Sequence, residues 1–207
     1  MPAKISDRKI IKDSDIDPRH DWSRPLNAHG VMNVDFEERV DFRRLHRYRL
    51  ARTRQALGAS ELGSLLTYDN NNTRYITSTT IGEWSRDKMA RFALLAGDGE
   101  PHLWDFGSAA IHHRIYAPWL QPACCHAGNV GLRGTIPPDQ GLIKRAAQEI
   151  YDVLQKQGVE NMPVGVDICE PPLLFELQKL GLEIRDGQQT MLNAREIKSK
   201  DEIMLLN

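Results

Sequence analysis

The chain has 207 residues, a formal net charge of −1 and 27% charged residues, so nothing global in its charge points to nucleic acid or an acidic lipid surface as a partner. Its 41% hydrophobic content is that of a soluble globular chain, long enough to bury a core without disulfide or metal staples. No apolar run approaches the ~20 residues a membrane helix needs, and Met1 to Asp13 lacks the apolar stretch of a signal peptide.

Residues 1–38 are polar, carry Pro2, Pro18 and Pro25, and show no sustained period. They read as an amino-terminal arm that drapes over something or is partly disordered, with Trp22 and Phe36 as anchors. From Asp41 the pattern turns helical. Phe42, Leu45, His46, Leu50, Thr53, Ala56 and Leu57 share one face, Asp41 caps the start, and Gly58 the end. The other faces carry Arg43, Arg44, Arg47, Arg52 and Arg54. A solvated face is the ordinary reading of such a set; pairing with carboxylates of another domain or subunit is the functional one.

Leu65 to Tyr68 reads as a short buried strand, broken at Asp69 to Asn72 by turn chemistry. Ile76 to Thr80 reads as a threonine-rich strand end. Phe92 to Ala96 and His102 to Phe106 read as paired strands, with Asp98-Gly99 supplying the positive φ of the hairpin. Ser108 to Tyr116 is predicted helical and Gly128 to Pro138 a loop. A second amphipathic helix runs from Gln140 to Gln157 and stops at Gly158. Val164 to Val166 is a strand, Pro171-Pro172 opens a helix through Leu180, and Gly181 to Ile184 is a strand. The alternation predicts an α/β fold with a mixed β-sheet flanked by helices. Ser199 to Glu202 has the form of a capping box, and Ile203, Leu205 and Leu206 follow at helical spacing. A helix begunthere and cut within two turns is unstable alone, so the chain is expected to continue past Asn207.

Chemistry-bearing patterns are few. No glycine-rich phosphate loop and no nucleophile elbow occurs. Asp105, His112 and His113, with His102 nearby, are the best candidate metal cluster. However, neighbouring histidines on a helix point about 100° apart, so the better reading is one histidine against the sheet and the other in solvent. Cys124 and His126 suggest a thiol–imidazole pair without an evident orienting group. Cys124, Cys125 and Cys169 are odd in number and form no C-x-x-C pair. They read as reduced thiols packed as small hydrophobes, which suits a cytoplasmic chain. Asn71-Asn72-Thr73 fits a glycosylation acceptor, a chance match without a secretion signal. Glu83, Trp84 and Arg86 form a compact polar-aromatic segment after Gly82. Its functional reading is a substrate-pocket wall, with Trp84 offering a flat apolar face and the other two offering charge. Ordinary loop residues are the bland alternative. Trp104, between Leu103 and Phe106, reads as core.

Two stretches carry a resemblance. Asp69 with Asn72-Thr73-Arg74-Tyr75-Ile76-Thr77 resembles the D-x-x-N-x-R-Y-x-[ST]-G stretch near the start of creatinase, prolidase and aminopeptidase P chains. Ser78 stands where many members have glycine. Ala194 to Ile203 resembles the R-x-[IV]-K-[ST]-x-x-E-[IL] stretch that closes their amino-terminal domain. The resemblance implies a creatinase-N-like α/β domain at 39–198, preceded by the arm at 1–38 and followed at 199–207 by the start of a linker helix into a catalytic "pita-bread" domain. It implies two divalent metal ions (Mn, Co, Zn or Fe) in that further domain, and neither metal nor catalytic residues here. It also implies a homodimer in which this domain walls the neighbouring subunit's active site, with Glu83, Trp84 and Arg86 as the pocket segment. The expected parent is an Xaa-Pro peptidase or prolidase acting on a small peptide. A lyase branch acting on the small zwitterion dimethylsulfoniopropionate is an alternative, and the Trp84 region looks similar to that branch. A non-enzymatic binding module of the same fold is a further one. The chain alone is expected to be inactive.

Overall fold

The computed structural model describes residues 40–80, 91–128 and 140–206. Helix α1 (Phe42–Gly58) starts where Asp41 accepts from the Arg44 amide, and it buries Leu45, His46, Leu50, Thr53 and Leu57. Strand β1 (Ser64–Thr67) is wholly buried. The next segment departs from expectation. Asp69 to Asn72 does not merely break the strand: Asp69 caps the helix α2 (Asn70–Thr77), its carboxylate accepting from the Asn71 and Asn72 amides. The same short polar side chains that serve turns also serve N-caps, and burial of Asn72, Tyr75 and Ile76 on one side decides for the helix. Ile76 to Thr80 is therefore a helix end and its exit, not a strand.

Strands β2 (Phe92–Ala96) and β3 (His102–Asp105) form the expected antiparallel hairpin. Its positive φ falls at Gly97 (+54°) rather than at Asp98-Gly99, and the Gly99 amide closes the turn onto Ala96 O at 3.0 Å. Helix α3 (Gly107–Tyr116) leads to a 3-10 turn (Pro122–Cys124) and strand β4 (Cys125–Ala127). Helix α4 (Leu142–Gln157), strand β5 (Val164–Val166), helix α5 (Pro171–Lys179) and strand β6 (Ile184–Asp186) follow. Helix α6 (Gln188–Glu196) and helix α7 (Lys200–Leu206) complete the described chain.

The six strands lie in the order β4-β3-β2-β1-β5-β6. Pairing is antiparallel between β1 and β2 and between β2 and β3, and parallel at the other three junctions. Two reversals in succession restore direction, so β2 alone runs against the other five described strands. Helices cover both faces. Leu66, Leu94 and Trp104 face α4 and α5 in the larger core. Leu65 and Leu95 face α1, α2 and α6, and Ala93 and Leu103 pack with Ala117, Leu120 and Cys125. Alternation along each strand thus assigns successive side chains to opposite layers. At one edge of the larger core, aromatic rings climb across four neighbouring chain segments. Tyr68 stacks on Phe92 (centroids 4.9 Å apart), Phe92 on Trp104 (4.8 Å), and Trp104 on His126 (4.5 Å).

Candidate functional site

Because five strands run the same way, their carboxyl ends share one edge of the sheet with the start of β2. In open α/β sheets this edge is where ligands are bound. Here it gathers the polar residues of both motif stretches. Asp167, just past β5, accepts from the Tyr68 and Asp69 amides at 2.8 and 3.0 Å and from Asn72 Nδ2 at 2.9 Å. Asn72 Nδ2 also donates to Gln188 Oε1 at 2.8 Å, and Asn72 Oδ1 accepts from Arg195 at 2.9 Å. Tyr75 OH donates to Ala194 O at 3.1 Å. The asparagine is fully buried, so each of its bonds replaces water that is absent. Gly187, one residue before α6, makes the arrangement possible: a Cβ there would lie 2.6 Å from the Gly165 backbone carbon.

A second polar cluster lies at the start of β2. Arg91 and Asp105 are both buried, at 3% and 0% exposure. Arg91 Nε donates to Asp105 Oδ2 at 3.0 Å, and Arg91 Nη2 donates to Thr79 O at 2.9 Å and to the Thr79 hydroxyl. His113 Nε2 contacts the same Asp105 oxygen at 2.9 Å. Burial pulls the Arg91 guanidinium down from its usual range, and the Asp105 charge opposes that shift. Beside the cluster, Ser78 takes a left-handed backbone (φ 53°) at the end of α2. Its hydroxyl lies 2.6 Å from His46 Nδ1, His46 packs on Trp119 (5.5 Å), and Trp119 Nε1 donates to Thr77 O at 2.8 Å. Burial, then the Arg49 charge, holds the His46 imidazole down to about 4. Ser78 therefore holds a left-handed turn of the kind glycine ordinarily takes and secures it through its side chain.

At the β3–β4 edge, Cys124 Sγ lies 3.6 Å from His102 Nε2, and His102 Nδ1 lies 2.8 Å from His126 Nε2. The pair expected as Cys124 with His126 is thus bridged by His102. Burial raises the Cys124 thiol and lowers His102 to about 4. A protonated thiol beside a neutral imidazole is packing, not an activated nucleophile.

His112 and His113 behave as the helical geometry requires: His113 is buried against Asp105, whereas His112 is exposed and packs at a tilt on Tyr116 (centroids 4.6 Å apart). Asp105 is engaged by Arg91, by His113 and by the Phe106 amide. Among the described residues no three His, Cys, Asp or Glu side chains converge as metal ligands, and no helix is long and apolar enough to cross a membrane. Trp104 is fully buried, as its sequence setting predicts, and donates to Glu149 at 2.9 Å. Glu83, Trp84 and Arg86, and the loop at 129–138, lie outside the described residues. What the sequence left unread was the role of Asp167, Gln188 and Arg91. Only Asp167, directly after a parallel strand, stood where a signal could have been sought.

No family model matches the chain. The mixed six-stranded sheet flanked by helices is the α/β fold expected from the two motif stretches. In sequence the chain is 26% identical over 171 residues to the dimethylsulfoniopropionate lyase DddP of Roseovarius nubinhibens, covering 80% of this chain and 37% of that protein. It is 27% identical over 168 residues to DddP of Roseobacter denitrificans, covering 79% and 36%. The chain therefore spans little more than a third of these curated relatives. In fold it is similar to the Xaa-Pro dipeptidase from Bacillus anthracis, with a TM-score of 0.53 and 15% identity over 78% of this chain and 39% of that one. A dipeptidase from Pyrococcus horikoshii has a TM-score of 0.51 and 15% identity, covering 75% and 38%.

Proposed function

We propose that this chain is the non-catalytic amino-terminal domain of a dimeric, cytoplasmic metalloenzyme, in which it helps wall the active site of the neighbouring subunit. The observation that carries the reading is the junction of the two motif stretches at Asn72, Tyr75, Ala194 and Arg195. Residues that the family shares in sequence here join α2 to α6, just before the expected linker helix. The likeness to two curated lyases favours a small zwitterion of the dimethylsulfoniopropionate type as substrate over the Xaa-Pro peptide first expected. Two divalent metal ions would be held by the further domain; among the described residues of this chain no three side chains converge as metal ligands.

Glu83, Trp84 and Arg86 are the proposed pocket segment. In support, Arg91 binds Thr79 directly, so the chain enters and leaves residues 81–90 at neighbouring points. The test is to express the protein with whatever follows Asn207 and assay it with manganese, cobalt, zinc and iron. Metal-dependent cleavage of dimethylsulfoniopropionate supports the lyase reading. Turnover of Xaa-Pro dipeptides alone would return the substrate to the peptidase branch. A downstream sequence lacking two Asp, one His and two Glu would make the chain a binding module.

A further inference from the structure

Strands β1 and β5 are parallel neighbours whose chains leave to opposite faces of the sheet. After β1, helix α2 packs Tyr75 and Ile76 into the layer of α1 and α6; after β5, helix α5 packs Leu173 and Leu177 into the layer of α4. The crevice between two such carboxyl ends is where open α/β sheets receive a ligand. Here the side chain of Asp167 fills it. Its Oδ1 accepts from the Tyr68 amide at 2.8 Å and from the Ile168 amide at 2.6 Å. Its Oδ2 accepts from the Asp69 amide at 3.0 Å and from Asn72 Nδ2 at 2.9 Å. Two donors to each oxygen is close to all that a carboxylate can accept. Asn72 is fully buried, and Arg195, donating to its Oδ1 at 2.9 Å, fixes which end of the amide faces Asp167.

We infer that this crevice is a receptor for a small carboxylate, and that the chain's own Asp167 occupies it. Tyr68, Asp69 and Asn72 are set by β1 and by the first turn of α2, not by the segment that carries Asp167. Three of the four donors therefore stay in place when that carboxylate is removed. All four are neutral, so the receptor selects by the fork of two oxygens as much as by charge; a chloride ion has no second oxygen to offer the other pair of donors. Asp167 is only half-buried, so the crevice opens to solvent on one side. In this domain the ligand position of the sheet thus serves to tie α2 to the turn between β5 and α5, and an external carboxylate finds it taken. The inference stands apart from the function proposed above.

The test is chemical rescue of Asp167→Gly, which removes a CH2–COO− group with the outline of acetate. In sodium chloride this variant should melt well below the parent chain. Sodium acetate at equal ionic strength should restore it, raising Tm by roughly 3–6 °C at a tenfold excess of acetate over its dissociation constant. The parent, whose crevice is full, and Asp167→Asn, which keeps the volume of the side chain, measure the general effect of the salt and should gain far less. Should Asp167→Gly be unfolded in chloride, circular dichroism reads the same rescue as folding driven by added acetate. Failure of acetate to stabilise or fold Asp167→Gly beyond chloride would overturn the inference, as would an acetate gain of the same size in the parent.

Discussion

Arg195 donates a 2.9 Å hydrogen bond to Asn72 Oδ1 across 123 positions of sequence. With the Tyr75 hydroxyl bond to Ala194 O, it links directly the two stretches that carry the family resemblance, and together they close α2 against α6 over the carboxyl edge of the sheet. Asn72→Ala should leave the half-buried Asp167, Gln188 and Arg195 each short of a partner beside the buried site Asn72 vacates. The expected loss is about 2–4 kcal/mol, since each unsatisfied buried group costs about 1–3 kcal/mol and some relaxation is available. Urea unfolding of the two proteins measures it; a change below about 1 kcal/mol would contradict the hub.

The two tryptophans with opposite assignments make a direct comparison. Trp104 is sandwiched between Phe92 and His126 and fully buried, so Trp104→Ala should cost about 3–5 kcal/mol. Trp84→Ala is expected to leave the melting temperature of the chain nearly intact, and to raise KM or lower kcat in the protein carrying the catalytic half, with metal content unchanged. If Trp84→Ala unfolds the chain as badly as Trp104→Ala, its place is in the core and the pocket assignment is wrong.

Ser78 predicts two changes of different size. A left-handed backbone costs a non-glycine residue about 1–2 kcal/mol, and the bond to His46 offsets part of that. Ser78→Ala keeps the cost and strands a buried imidazole nitrogen, so it should destabilise by about 1–2 kcal/mol. Ser78→Gly removes the backbone cost together with the bond and should fall within about 1 kcal/mol of the parent. Chemical denaturation of the pair should therefore rank glycine above alanine.

Acid should weaken the fold through its histidines before its carboxylates. His46 and His102 are each held down to about 4, against 6.5 for an ordinary imidazole. Between those values the unfolded chain binds protons that the folded chain refuses, so stability is full above pH 6.5 and falls as pH drops towards 4. Asp41 and Asp201 are shifted below 3.8, chiefly by bonds from the Arg44 amide and guanidinium. Their contribution is present above 3.8 and is lost only at lower pH. Melting curves at pH 7, 5.5 and 4.5 should show a progressive fall that His46→Gln and His102→Gln flatten; a Tm independent of pH across this window would contradict it.

Much of the architecture was legible because it rests on local signals. The stripes of α1 and α4, the prolines opening α5 and the capping box of α7 all appear where side-chain spacing and cap chemistry put them. The Ser199 and Glu202 bonds to each other's amides have the form the sequence implies. What was hidden is tertiary. Helix α6 buries only Thr190, Met191 and Ala194, too sparse a stripe to announce a helix, and it is held instead by the Asn72 junction. Strand β4 is three residues long and is defined by pairing with β3. Asp69 was ambiguous in principle, since one carboxylate can cap a turn or a helix. Of the candidate site, the motif residues were visible, but Arg91 and Asp167 acquire meaning only once strands far apart in sequence share an edge.

The parallel pairing of β1 with β5 has a consequence for synthesis. Ser64 meets Val164 and Leu66 meets Val166, so a central strand waits about a hundred residues for its second neighbour. On the ribosome, where domains emerge at about 5–20 residues per second, Leu65 and Leu66 would sit on a bare hydrophobic rim for several seconds after the β2–β3 hairpin has docked. Sequences that slow translation beyond residue 127, or that detach β5 and the chain after it, should therefore promote misassembly through that rim long before they affect any chemistry.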